Sequence, residues 1–101
     1  METITGVTLE GRALAVMEFL HRRVFDPALA SPKASNSIKA GVRITILRME
    51  QRQTADAMIK YFWAAVHGTE KSIRFADMMA EAGLDRFEEV LEDFRRAFPL
   101  D

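Results

Sequence analysis

One segment, IKAGVRITILRMEQ (residues 38–51), constrains the fold more than any other part of the sequence. Between residues 42 and 46, β-branched residues alternate with polar ones, which is typical of a strand. No other segment alternates in this way, so a strand here would have no pairing partner within the chain. An unpaired strand leaves backbone N–H and C=O groups without hydrogen bonds. Apolar residues in the same segment also recur at helical spacing. We therefore predict a helix, while a strand over 42–48 stays open only if a second copy pairs with it.

Proline and polar residues divide the N-terminal part of the chain. A first helix follows Thr8 and is predicted to end at Asp26, because Pro27 disfavours helical geometry at the residue before it. Pro27 fits the first turn of a new short helix, 27–30. Residues 1–7 are expected to be a flexible N-terminus. Residues 31–37, SPKASNS, are expected to form a loop, since serine and asparagine compete locally with regular structure.

Glycines and one aspartate mark the helices of the C-terminal part. Gly68 ends a helix over 53–67, Gly83 ends the next one in a left-handed conformation, and Asp85 is predicted to cap the last helix. Apolar residues nearly encircle the 53–67 helix, and Phe62 lies on its main apolar face. Such a helix is predicted to lie in the centre of the core. The chain, 1–101, is therefore predicted to be a single all-α domain, a bundle-like array of four to five helices.

The sequence lacks the motifs that mark common catalytic and metal sites. It has no cysteine, and it contains no HExxH, P-loop, GxGxxG or GxSxG pattern. The carboxylates of EEVLED (88–93) are predicted to face solvent, because the apolar residues between them face the core. We therefore expect no metal site, no cofactor and no catalytic residue. Whether the protein is an enzyme stays uncertain, and a protein without enzymatic activity is favoured. One alternative function, ranked below the alternative of the next paragraph, is a small enzyme with a site near His67.

Basic residues dominate one segment of the chain. Between residues 33 and 52 the only acidic residue is Glu50. The basic segment 39–52 therefore gives an alternative function, a module that binds nucleic acid or a phosphate ligand. Its candidate anion-binding residues are Lys39, Arg43, Arg48 and Arg52.

Surplus apolar surface favours self-association. Ile44 and Leu47 lie off the helical stripe of their segment, and Tyr61 lies off the main face of the 53–67 helix. Residues 1–63 carry a charge of +3 and residues 64–101 a charge of −4, so two copies could also attract one another. We predict a homodimer with an interface centred on Ile44, Leu47, Tyr61 and Trp63. No apolar run approaches the ~20 residues of a membrane span, and a cytoplasmic protein without membrane contact is expected.

The segments MIKYFWAAVHGTEKSIRFADMM (58–79) and GLDRFEEV (83–90) resemble one group of known sequences. They are similar to the small uncharacterised helical proteins encoded on integron gene cassettes and other mobile genetic elements. The resemblance covers residues 41–94, about half of the chain. It implies a small domain that is often oligomeric, and it brings no catalytic residues. Together with the apolar surplus, this favours a non-enzymatic interaction or adaptor protein that acts as a homodimer.

Overall fold

Helices account for all the regular secondary structure that the computed structural model describes, in residues 11–68 and 74–99. The predicted all-α class is confirmed, and residues 42–48 are helical. The predictions for residues 1–7 and for the start of the first helix after Thr8 lie outside the described residues. The described chain forms five helices: α1 over 11–30, α2 (Asn36–Arg52), α3 (Ala55–His67), α4 (Phe75–Glu81) and α5 (Phe87–Ala97).

Helix α1 continues through the predicted break at Asp26, so that prediction is wrong. The helix consists of Gly11–Leu20, a π-helical turn over His21–Phe25, and a last α-helical turn over Asp26–Ala30. Asp26 keeps helical angles (φ −64°, ψ −44°), and its N–H donates to the carbonyl of His21, five residues back. In an α-helix the ring of Pro27 would clash with the carbonyl four residues before it. The wider π turn changes that geometry and lets the chain pass through proline without a break.

Helices α2 and α3 form a hairpin with a very short connection. The Ser35 hydroxyl accepts a hydrogen bond from the Ile38 N–H at 3.1 Å, so α2 begins at Asn36 and the loop before it covers 31–35. Helix α2 ends at Arg52, and the next residue, Gln53, has a left-handed conformation (φ 70°). Thr54 then caps α3 by accepting from the Ala57 N–H at 3.3 Å. Two residues, Gln53 and Thr54, therefore reverse the chain between α2 and α3.

The turn between α4 and α5 confirms one prediction and contradicts another. Gly83 has φ 86°, and the N–H of Leu84 donates to the Met79 carbonyl at 3.0 Å. This six-residue closure is a Schellman motif, which needs the left-handed residue that glycine supplies. Asp85, however, does not cap α5. The N-cap position is held by Arg86, and no side chain bonds to the first turn.

Phe62 of α3 is the centre of a single core to which all five helices contribute buried residues. Its ring is fully buried and lies 5.2–6.5 Å, centroid to centroid, from aromatic rings of three other helices. These rings are Phe25 of α1, Phe75 of α4 and Phe94 of α5. The central position predicted for this helix is confirmed. One shared core is what a single domain requires.

Replacing Phe62 by alanine should destabilise the fold by about 3–5 kcal/mol, the usual cost of removing a large buried aromatic side chain. Denaturant unfolding followed by circular dichroism would measure it. Lys60→Ala is the matched control, because Lys60 is exposed on the same helix and its loss should change stability by less than about 0.5 kcal/mol. Equal effects of the two substitutions would contradict the central role of Phe62.

Replacing Gln53 by glycine should stabilise the protein by about 0.5–1 kcal/mol. The left-handed angles that Gln53 holds cost a residue with a Cβ atom more than they cost glycine. Ala64→Gly is the control, since Ala64 is exposed within α3 and should lose about 1 kcal/mol on the same change. The prediction fails if both substitutions destabilise in the same denaturant titration.

Asp93 links α5 to α1. Arg23 of α1 donates to its carboxylate at 2.9 Å and Arg96 donates at 2.8 Å. These hydrogen bonds, that of Arg23 first, hold the pKa of Asp93 below its ordinary value. A lowered pKa in the folded state means that the pair stabilises the protein above the unfolded pKa of about 3.9, and that this contribution is lost as pH falls.

Asp93→Asn should therefore destabilise the protein at pH 7, and the difference from the wild type should shrink as pH falls below about 4. Unfolding free energies measured across this range would test it. Asp85→Asn serves as control, because Asp85 is exposed and has no ion pair among the described residues. A difference between Asp93→Asn and wild type that does not change with pH would contradict the assignment.

Candidate interaction surface

A stripe of exposed residues runs along the outward face of α2. Its members are spaced alternately three and four residues apart, and all are exposed. We call it the outer stripe: Ser37, Ala40, Ile44, Leu47 and Gln51. Ile44 is 48% exposed and Leu47 is 46% exposed, and they are the exposed large hydrophobic residues of the described chain. This spacing keeps the five side chains on one side of a helix.

The opposite face of α2 explains why the outer stripe faces outward. Ile38, Val42, Thr45 and Met49 are buried there. Thr45 is polar, but its hydroxyl donates to the Gly41 carbonyl at 2.9 Å, so its burial leaves no hydrogen bond unmade. Helix α2 therefore contributes one face to the core and carries a second apolar stripe on the other side. The prediction that Ile44 and Leu47 lie off the core-facing stripe is confirmed by their exposure.

Two edges flank the outer stripe and differ in charge. At 100° per residue, Arg43 and Glu50 fall on one edge, which we call the first edge. Gly41 and Arg48 fall on the other, the second edge. Among the described residues, none of the three charged side chains on these edges forms an ion pair. Gly41 lies against α4, and a Cβ atom placed on it would come within 2.6 Å of the Met78 side chain.

Tyr61 and Trp63 do not join Ile44 and Leu47 in one patch. They are about 160° apart around α3, so they face different neighbours. The guanidinium of Arg52 lies 4.6 Å from the Tyr61 ring, at the hairpin between α2 and α3. Trp63 instead lies 6.0 Å from the Phe94 ring of α5, centroid to centroid. Both rings are partly buried against the protein's own core.

The four predicted anion-binding residues also divide into two groups. Lys39 and Arg43 lie on the side of the first edge, while Arg48 and Arg52 lie on the side of the second. Arg52 is further committed to the Tyr61 ring. The outer stripe lies between the two pairs. A phosphate chain that approaches from one direction could therefore contact one pair or the other, but not all four basic residues.

His67, the residue of the enzyme alternative, is the exposed last residue of α3. Its ring stacks with Trp63 at 6.1 Å between centroids and an angle of 22°. Thr69 and Glu70, residues close to His67 in the sequence that such a site could use, lie outside the described residues. Within the described chain, no group of three or more histidines and carboxylates is arranged to hold a metal ion.

One polar pair was missed by sequence reasoning. His21 Nδ1 lies 3.1 Å from Asp26 Oδ1, at the surface of α1. Residues five apart are not neighbours on an α-helix, but they become neighbours across a π turn. A sequence pattern that predicts ordinary helical spacing therefore cannot reveal this contact. The pair borders Phe25, whose ring meets that of His21 edge to face at 5.4 Å.

An open groove of about 570 Å³ lies between α4 and the start of α5. Four of the six charged residues that line it form two ion pairs. Arg74 lies 3.1 Å from Asp77, and Arg86 lies 3.8 Å from Glu89. The first pair also raises the pKa of Arg74 above its usual value, through its hydrogen bond to Asp77. Asp85 and Glu88 are the charged lining residues that form no ion pair among the described residues, and both are acidic.

Comparison with known proteins adds no further constraint. The chain shows no significant match to protein-family models, to curated proteins or to solved structures. Its resemblance to integron cassette proteins therefore stays a prediction. Among the described residues, no helix has the length and hydrophobicity needed to cross a membrane.

Proposed function

We propose that the protein is a non-enzymatic interaction protein that associates with a second copy of itself through the outer stripe of α2. The observation that carries the proposal is the exposure of Ile44 and Leu47 at the middle of that stripe. A two-fold dimer brings the same patch of both copies together, which is the commonest way to cover such a surface.

The size of the apolar patch sets the expected affinity. A dimer would cover four side chains, two from each copy, and each is about half exposed. Full burial of such a side chain contributes about 1.5–3 kcal/mol, so the four half-exposed ones contribute roughly 3–6 kcal/mol. A micromolar complex requires about 8 kcal/mol. We therefore expect a weak, reversible dimer with a dissociation constant between about 40 μM and about 6 mM.

Because of the positions of Tyr61 and Trp63, this expected affinity is lower than that of the four-residue interface predicted from the sequence. A dimer centred on all four aromatic and aliphatic residues would bury more than about 1,000 Å². Because Tyr61 and Trp63 pack against their own chain, the outer stripe alone carries the contact. A transient association suits an adaptor that exchanges partners better than it suits a permanent assembly.

Ile44→Glu should abolish the dimer, because it places a charge at the middle of the contact. Sedimentation equilibrium from about 10 μM to 1 mM should show a mass that rises with concentration for the wild type and stays at one chain for the variant. Ala15→Glu is the matched control, since it introduces the same residue at an exposed position of α1 and should leave association unchanged. A wild type that stays monomeric at 1 mM would refute the proposal.

A further inference from the structure

We propose that the two α2 helices of the dimer pair antiparallel, with Arg43 of each copy beside Glu50 of the other. This inference rests on the proposed function, since it concerns the same surface. It goes further, because it specifies the relative direction of the two helices, their register, and the ion pairs that favour this arrangement.

The register follows from the spacing of the outer stripe. Residues alternately three and four apart match the seam by which two helices pack knobs into holes. A two-fold axis between Ile44 and Leu47 places the Ile44 side chain of one copy against Leu47 of its partner, and the reverse. Moving outward by one layer, Ala40 then faces Gln51. The two exposed large hydrophobic side chains meet at the centre, and smaller or polar residues close the ends.

The charged residues on the two edges of the outer stripe determine whether the two α2 helices pair parallel or antiparallel. In an antiparallel pair each edge of the stripe meets the same edge of the other copy. The first edge carries Arg43 and Glu50, two turns apart, so each arginine meets a glutamate and the contact is made twice. On the second edge Arg48 meets Gly41, which carries no charge and lies against the Met78 side chain of α4.

A parallel pair is disfavoured by the same residues. There the first edge of one copy meets the second edge of the other, as in parallel two-stranded coiled coils. Arg43 would then lie against Arg48, again twice, and like charges in contact are unfavourable. Each direction therefore makes two charged contacts, which are attractive in the antiparallel pair and repulsive in the parallel one. The same apolar side chains are covered in both, with Ile44 against Leu47 in the antiparallel pair and each residue against its own copy in the parallel pair.

Disulfide crosslinking tests the direction, and the chain has no cysteine to interfere. Ala40→Cys and Gln51→Cys are made as separate proteins. In the antiparallel pair, residue 40 lies opposite residue 51, and two copies of residue 40 are about 16 Å apart along the axis. A disulfide needs Cα atoms within about 7 Å. Oxidation of the mixed variants should give a covalent dimer, and oxidation of either variant alone should not.

The outcomes separate this inference from the proposed function. If Ala40→Cys alone crosslinks efficiently, the helices are parallel, the dimer stands and the antiparallel pairing is overturned. If the wild type is monomeric in sedimentation at 1 mM, both fail. If the wild type dimerises but neither the mixture nor a single variant crosslinks, the stripe is not paired in this register and the inference is again overturned.

A charge exchange tests the ion pairs directly. Arg43→Glu should weaken the dimer about tenfold at low salt, since it puts two glutamates together on each side. Glu50→Arg should do the same, and the double variant Arg43→Glu/Glu50→Arg should restore the wild-type dissociation constant to within about twofold. In a parallel pair Arg43→Glu would instead face Arg48 and tighten the dimer. A tighter dimer, or a double variant as weak as the single ones, would overturn the proposed pairing.

Discussion

The structure depends on the burial of the Phe62 ring among the aromatic rings of its neighbours. All seven phenylalanines of the chain take part in one connected set of ring contacts, and Phe62 joins the rings of α1, α4 and α5. Aromatic pairs of this kind prefer edge-to-face arrangements and add to the free energy of burial. Helix α2 contributes no aromatic side chain to this set. It is held by aliphatic and methionine contacts along one face, which leaves its outer side open.

The patterns in the sequence predict which residues face the core better than they predict what covers the others. The lack of a second alternating segment was enough to predict that 42–48 is helical, and the glycine at position 83 marked a left-handed turn. The π turn before Pro27 could not be predicted, because the preference of a residue before proline is local. Burial of Val24 and Phe25 within the turn, and of Ala28 after it, outweighs that preference. The missing cap at Asp85 has a similar cause, since the Schellman turn fixes the chain just before it.

The candidate site shows the same division between local and tertiary information. Ile44 and Leu47 were placed off the core-facing stripe by spacing alone, which the exposure of both residues supports. Tyr61 and Trp63 were placed beside them, although a helical wheel gives only a direction around one axis. Which part of the protein contacts a side chain that points in that direction depends on how α2 and α5 pack against α3. Here Arg52 covers the ring of Tyr61, and Phe94 and Arg95 lie next to Trp63. The remaining exposed surface is therefore narrower than the sequence indicated.

Arg12 connects the beginning of α1 with the C-terminal end of the described chain. One nitrogen of its guanidinium lies 3.0 Å from the Asp56 carboxylate, and another donates to the carbonyl of Pro99 at 2.8 Å. The first turn of α1 is thus held beside Pro99, the last described residue, and this contact brings the two limits of the described chain close together. A short peptide joining residues 11 and 99 would span little distance. It would act mainly by restricting the unfolded chain, because closing a long loop removes conformational entropy from that state. The same closeness would let new ends be opened at the 31–35 connection without parting any two helices that now touch.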